Sequence, residues 1–182
     1  MAIAEDVYER CRACTVNAAT ILENIVVGKP VQPSAVAARR TAADIAGDTT
    51  AALLRQAFIT PIEREDLWRL RSLSERLWRE AENTALFVSR QRKPLPIPCR
   101  QIFHAAAVAC QSVGQAFEQF PRHHALACTL RPLRDAERLC HTVAHEYCDD
   151  VTTGHLCQAV LRLIAQAEML SEALQYIQIK NA

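Results

Sequence analysis

Apolar residues recur at helical spacing along almost the whole chain. The clearest stripe is Leu156, Val160, Leu163, Ala167, Leu170, Leu174 and Ile177, which steps 4-3-4-3-4-3 without interruption. Such a stripe places one face of a helix against a partner. A second stripe runs through Leu70, Leu73, Leu77, Ala81, Thr84 and Val88, as expected of the seam in an antiparallel bundle. Punctuation between the stripes sets the elements. Helix 1 is expected from about Ala4 to Val27, where Gly28-Lys29-Pro30 stops it. Helix 2 follows Pro33-Ser34 and runs from about Ala35 to Ala57. Helix 3 is expected to begin at Pro61, because Thr60-x-x-Glu63 reads as a capping box and proline suits the first helical position.

Lys93-Pro94-Leu95-Pro96-Ile97-Pro98 cannot be helical throughout, since prolines lack the donor and clash with the preceding turn. It predicts a stiff connector at about 94–98 that divides one domain, 1–182, into halves of about 1–93 and 98–182. Helix 4 is expected over about Pro98–Phe120, ended by Pro121-Arg122-His123-His124. Helix 5 begins near Pro132 and stops before Gly154; helix 6 carries the long stripe. A short turn between them would set Cys140 opposite about Ile164. The expectation is an all-α, elongated bundle of six helices, three on each side of the connector. The helix 6 stripe is also compatible with a homo-oligomer, but short loops favour a seam within the chain.

Composition narrows the function. Half the residues are hydrophobic but only 5% are aromatic, with 4 Gly, which favours close-packed helices over strands. The net charge of +1 offers no basic excess for nucleic acid. No apolar run is long enough to span a bilayer. The opening residues, with Glu5 and Asp6, do not read as a signal peptide, so a cytoplasmic protein is expected. In that compartment the 8 cysteines are read as reduced, buried side chains. Cys11 and Cys14 have CxxC spacing but no βαβ context for a redox motif. No phosphate-binding glycine loop or nucleophile elbow occurs, so no catalytic residues are expected. Trp68, Trp78 and Tyr147 read as core or groove residues, because no basic stripe interleaves them.

The segment Phe58-Ile59-Thr60-Pro61-Ile62-Glu63-Arg64-Glu65-Asp66 resembles a signature of the PhoU-like phosphate-transport regulators, with Glu63 where that family carries Asp. The terminal Ile177-Gln178-Ile179-Lys180-Asn181-Ala182 is similar to the family's ending. The resemblance implies two pseudo-repeats of three helices. It also implies a non-enzymatic cytoplasmic accessory protein that docks on cytoplasmic loops of a Pit-type inorganic phosphate transporter, at the inner face of the membrane.

Family members carry metal-binding carboxylates on the second and third helices of each repeat. Carried over residue by residue, those positions are Arg40 and Asp44, then Glu75, Arg76 and Arg79, in the first repeat. In the second they are Cys140 and Ala144, then Glu168, Met169 and Glu172. Three arginines repel a cation, so the first repeat is expected to be metal-free. The pairs Glu75–Arg79 and Arg76–Glu80 would be ordinary i,i+4 contacts. A sharper alternative has Arg40, Arg76 and Arg79 converging on an anion. In the second repeat, Glu168 and Glu172 with His141 and His145 form a candidate divalent metal set. The alternative function resting on it is a metal- or redox-sensing helical protein that uses His141, His145 and the cysteines.

Overall fold

The computed structural model describes residues 2–29, 32–56, 62–91, 94–119 and 130–180. Among them are six helices and no strand: α1 (Ala2–Val26), α2 (Pro33–Gln56), α3 (Arg64–Ser89), α4 (Ile97–Gln119), α5 (Leu130–Glu146) and α6 (Val151–Lys180). At 1.5 Å per residue, helices of this length make an elongated bundle. The centre consists of α1, α3, α4 and α6. α1 packs most extensively on α4 and next on α3, while α6 lies along α3 and α4. α5 covers α4 and α6; α2 touches α3 and α1 only lightly. First helix therefore pairs with first helix across the two halves, and third with third. One continuous cluster of buried apolar residues runs through both halves.

Both stripes lie where the periodicity put them. Leu156, Val160, Leu163, Ala167, Leu170, Leu174 and Ile177 are all buried within the chain, as are Leu70, Leu73, Leu77, Ala81 and Thr84. Val88 packs against the core from its edge. α6 also buries Cys157, Ile164 and Ala173, a face wider than a two-stranded coiled coil needs.

Local chemistry explains the helix ends. Gly28 adopts φ 71°, a left-handed conformation that glycine tolerates without penalty. The Lys29 amide donates to the Asn24 carbonyl at 2.9 Å and the Gly28 amide to Ile25 at 3.1 Å, which closes α1 as a Schellman motif. Three boundaries differ from expectation. α3 starts at Arg64, and Glu63 precedes it with extended backbone (φ −59°, ψ 141°). Glu63 is therefore the cap position and not the third helical residue of a capping box; Thr60 and Pro61 lie outside the described residues. The connector is shorter than expected, because α4 takes in Ile97 and Pro98 and the Arg100 amide donates to the Pro96 carbonyl at 3.1 Å. Proline is tolerated in that first turn.

The third difference separates α5 from α6. α5 ends at Glu146, and Gly154 lies inside the first turn of α6. Asp150 sets this start. Its carboxylate accepts from the Thr152 amide at 3.1 Å and from the Thr153 hydroxyl at 2.6 Å, while its carbonyl accepts from the Gly154 amide at 2.9 Å. An N-cap aspartate outweighs the helix-breaking tendency of one glycine. The tight turn consequently sets Cys140 against Cys157, whose carbonyl accepts from the Cys140 thiol at 3.2 Å, and not against Ile164.

Close approach of α1 and α4 depends on small residues. A Cβ added to Gly114 of α4 would lie 2.9 Å from Thr15 Oγ1 and 3.3 Å from Val16 Cγ2 of α1. Thr15 is fully buried and tied to its own helix by donation to the Arg12 carbonyl at 2.7 Å, so it has little room to yield. Gly114→Ala gains helix propensity of about 1 kcal/mol, but overpacking costs about 1–3 kcal/mol. We expect a net loss of stability in urea denaturation, which Thr15→Ala in the same chain recovers.

Candidate functional site

The most polar part of the interior lies where α2 meets α3. Glu82 of α3 is fully buried. Arg40 Nε donates to its Oε2 at 2.8 Å and Arg39 Nε faces Oε1 at 3.4 Å. Arg40 Nη2 also donates to Asn83 Oδ1 at 2.7 Å. One turn along α2, Asp44 pairs with Arg79. A buried carboxylate without a cation would be strongly destabilising, so these arginines bring the charge that lets Glu82 sit inside. Glu82 was not among the residues singled out from the sequence. Its only signal there is a charged residue one position after Ala81 of the α3 stripe, at the stripe's edge.

The same interface corrects the expected intrahelical pairs. Glu75 pairs with Arg71 at 2.8 Å, not with Arg79, which reaches across to Asp44. Glu80 pairs with Arg162 of α6 at 2.7 Å, not with Arg76, which stays on the exposed face. Arg40 and Arg79 are each engaged by a carboxylate, and Arg76 does not join them, so the three do not converge on one anion.

Arg71 is the most confined of these cations. Its side chain is 13% exposed, it stacks 4.8 Å over the Trp68 ring, and its Nη1 is buried without a hydrogen-bond partner. Gly47 of α2 leaves room for it: a Cβ there would lie 2.1 Å from Arg71 Nη2. Trp78 is buried and its Nε1 has no acceptor. Trp68 and Tyr147, expected in core or groove, are instead about half exposed.

Two cavities flank Trp78 where α2 stands away from α1. The larger, about 360 Å³, has a wall of Asn17, Thr20, Ile21 and Asn24 from α1. Lys29, Gln32, Ala35 and Arg39 close its other side, and Trp78 belongs to its lining. The smaller, about 180 Å³, lies between Cys14, Gly47, Arg71 and Trp78.

The CxxC pair faces inward. Burial pushes the Cys11 thiol up to about 12 and the Cys14 thiol up to about 11. Both are therefore protonated thiols, the reverse of a reactive redox pair. None of the described cysteines is in a disulfide.

In the second repeat, Cys140 is fully buried and Ala144 packs against the core, so neither position faces a ligand. His141 is exposed and lies 3.9 Å from Glu137; His145 is exposed on the same helix. The Glu168 carboxyl is pushed above its ordinary 4.5 by burial, with the charges of Glu137 and Glu172 adding to the rise and Arg134 opposing it. This brings Glu137, Glu168 and Glu172 into one acidic neighbourhood. Among the described residues, no three His, Cys, Asp or Glu side chains are placed to hold a metal ion.

Two outcomes test this picture. Arg40→Ala should cost about 1–2 kcal/mol, because a partly exposed arginine leaves Glu82 with Arg39 alone. Replacing both arginines should cost more than twice that, measured by urea denaturation, and should speed amide exchange in α2. For Glu168 the raised carboxyl means that the folded state holds the proton more tightly than the unfolded state. Its charged form therefore opposes folding above the folded-state value, and that penalty fades as pH falls through it. Glu168→Gln should raise the melting temperature at neutral pH, with the gain shrinking as pH falls toward 4.5.

No family model and no curated protein matches the chain. Solved structures do match. A PhoU-like phosphate regulatory protein from Shewanella oneidensis MR-1 aligns with a TM-score of 0.62 at 14% identity, covering 98% of this chain and 98% of its own. A PhoU-like protein from the same organism aligns with a TM-score of 0.63 at 13% identity and the same coverage. The six-helix bundle described above is thus the PhoU-like fold from end to end.

Proposed function

We propose that this chain is a non-enzymatic regulator of phosphate handling. More specifically, we read it as an accessory protein that docks from the cytoplasm on the loops of a Pit-type inorganic phosphate transporter and modulates uptake. The observation that carries the proposal is the end-to-end likeness of fold to a PhoU-like phosphate regulatory protein, 98% of each chain at a TM-score of 0.62. The architecture fits a docking role, since long rigid helices present extended faces to a partner's loops. No described helix is long and apolar enough to cross a membrane, so a transporter would supply the membrane-embedded part.

The test is reconstitution. A Pit-type transporter from the source organism would be placed in vesicles, and radiolabelled phosphate entry followed with and without this protein. The expected outcome is a changed initial rate, together with co-purification of the two proteins in detergent. Unchanged uptake with no co-purification would sink the transporter assignment.

A further inference from the structure

The larger cavity beside α2 has an uneven chemistry. Lys29 and Arg39 both line it, with the amides of Asn17, Asn24 and Gln32, and no carboxylate is among its described lining residues. Lys29 has no carboxylate partner among the described residues, and Arg39 holds Glu82 only through Nε at 3.4 Å, which leaves the outer nitrogens of its fork. Both cations are exposed at this space of about 360 Å³, where an anion can lie against them. Beside them, Trp78 Nε1 is a buried donor with no acceptor. An unmade hydrogen bond there costs about 1–3 kcal/mol, and small shifts of α2 or of a bound group could satisfy it.

The sequence placed this polarity deliberately on facing helix sides. Asn17, Thr20 and Asn24 recur at i, i+3 and i+7 on α1, which is one helical face. Opposite them, Gln32 precedes α2, and Ala35 and Arg39 lie four residues apart on one face of that helix. Ala35 keeps the gap open where a larger residue would fill it. The volume falls in the range of small-molecule sites, and the donors suit phosphate oxygens, which accept from Arg, Lys and amide N–H groups alike.

We propose that the groove between α1 and α2 binds a small phosphate-bearing anion, held by Lys29 and Arg39 and flanked by Asn17, Asn24, Gln32 and Trp78. The assignment rests on the lining alone and stands whether or not the chain regulates a transporter. The ligand is either free phosphate or the phosphate group of a small organic ester, and the experiment distinguishes them. Trp68→Phe leaves Trp78 as the only tryptophan, so its fluorescence reports on the groove. This variant would be titrated with orthophosphate, glycerol 3-phosphate and ATP, with citrate and adenosine as controls, and calorimetry of the unmodified chain would follow the same series.

Saturable binding of at least one phosphate probe below millimolar concentration is expected. Lys29→Gln, an exposed substitution that leaves the fold alone, should weaken it by about tenfold, in line with loss of a charge-assisted contact. Ala35→Leu should abolish it by filling the gap while keeping Trp78 as the only tryptophan, with circular dichroism confirming the fold. Tightest binding by orthophosphate would identify free phosphate as the occupant, and tightest binding by an ester would identify an organic one. No saturation by any phosphate probe, equal binding of citrate or adenosine, or binding untouched by both variants would overturn the proposal.

Discussion

The contact between α1 and α4 is the one on which the remaining packing depends. It joins the two halves of the chain, and small side chains make up much of it, with the Tyr8 and Phe117 rings meeting across it, centroids 6.4 Å apart. Ala106, Ala107, Ala109, Cys110, Val113, Gly114 and Ala116 of α4 are buried, as are Cys11, Thr15, Ala18 and Ala19 of α1. Small residues bring two backbones close and multiply weak dispersion contacts along the helices. They bury less area per residue than leucines, so the gain comes from length and fit. Once α1 and α4 are fixed, α3 and α6 have a floor on which to lay their leucine stripes.

The outer helices are attached in opposite ways. α5 buries Leu133, Ala136, Cys140 and Val143, an ordinary apolar face. Among the described residues of α2, only Val36 and Ala51 are buried apolar side chains, and the middle of that helix is tied down by Arg39, Arg40 and Asp44. Ion pairs of this kind contribute little net stability, since desolvation offsets most of the attraction. They do fix geometry: an apolar face tolerates sliding, whereas a guanidinium on a buried carboxylate fits in one register. Among its described residues, α2 is positioned by these ion pairs, and the open groove lies beside its N-terminal half, where Val36 is the buried apolar side chain.

The fold was largely legible because helix periodicity and stop signals are local. Gly28, the proline connector and both leucine stripes act within a few residues of themselves. The misjudged positions turned either on competing local signals or on a partner from another helix. Gly154 looked like a stop until Asp150 was seen capping the helix around it. Glu75 has an arginine four residues away on either side, Arg71 and Arg79, and counting along one helix cannot choose between them without Asp44 across the interface, which takes Arg79. Glu82 was invisible for the same reason: its burial depends on two arginines supplied by another helix. In the second repeat, the resemblance supplied Glu168 and Glu172, and i,i+4 spacing added His141 and His145. The structure adds Glu137 to the two glutamates and leaves His145 exposed on α5.

Two stretches carried the resemblance, one opening α3 and one ending α6, more than a hundred residues apart in sequence. They meet in the structure. Lys180 Nζ lies 2.6 Å from Glu63 and 3.1 Å from Asp66, and it sits 5.6 Å over the Tyr176 ring. The carboxylates at the start of α3 lie near the positive end of that helix dipole, and Lys180 lies in the last turn of α6, near its negative end. Each group thus serves its own helix and the other at once. Contact with both carboxylates raises the affinity of Lys180 for its proton. A residue pattern that reads as two unrelated local signatures is, physically, one clasp between antiparallel α3 and α6. The buried stripes and the packing of α3 on α1 and of α6 on α4 and α5 set the register of the two helices, and the partly exposed clasp adds an end stop to it.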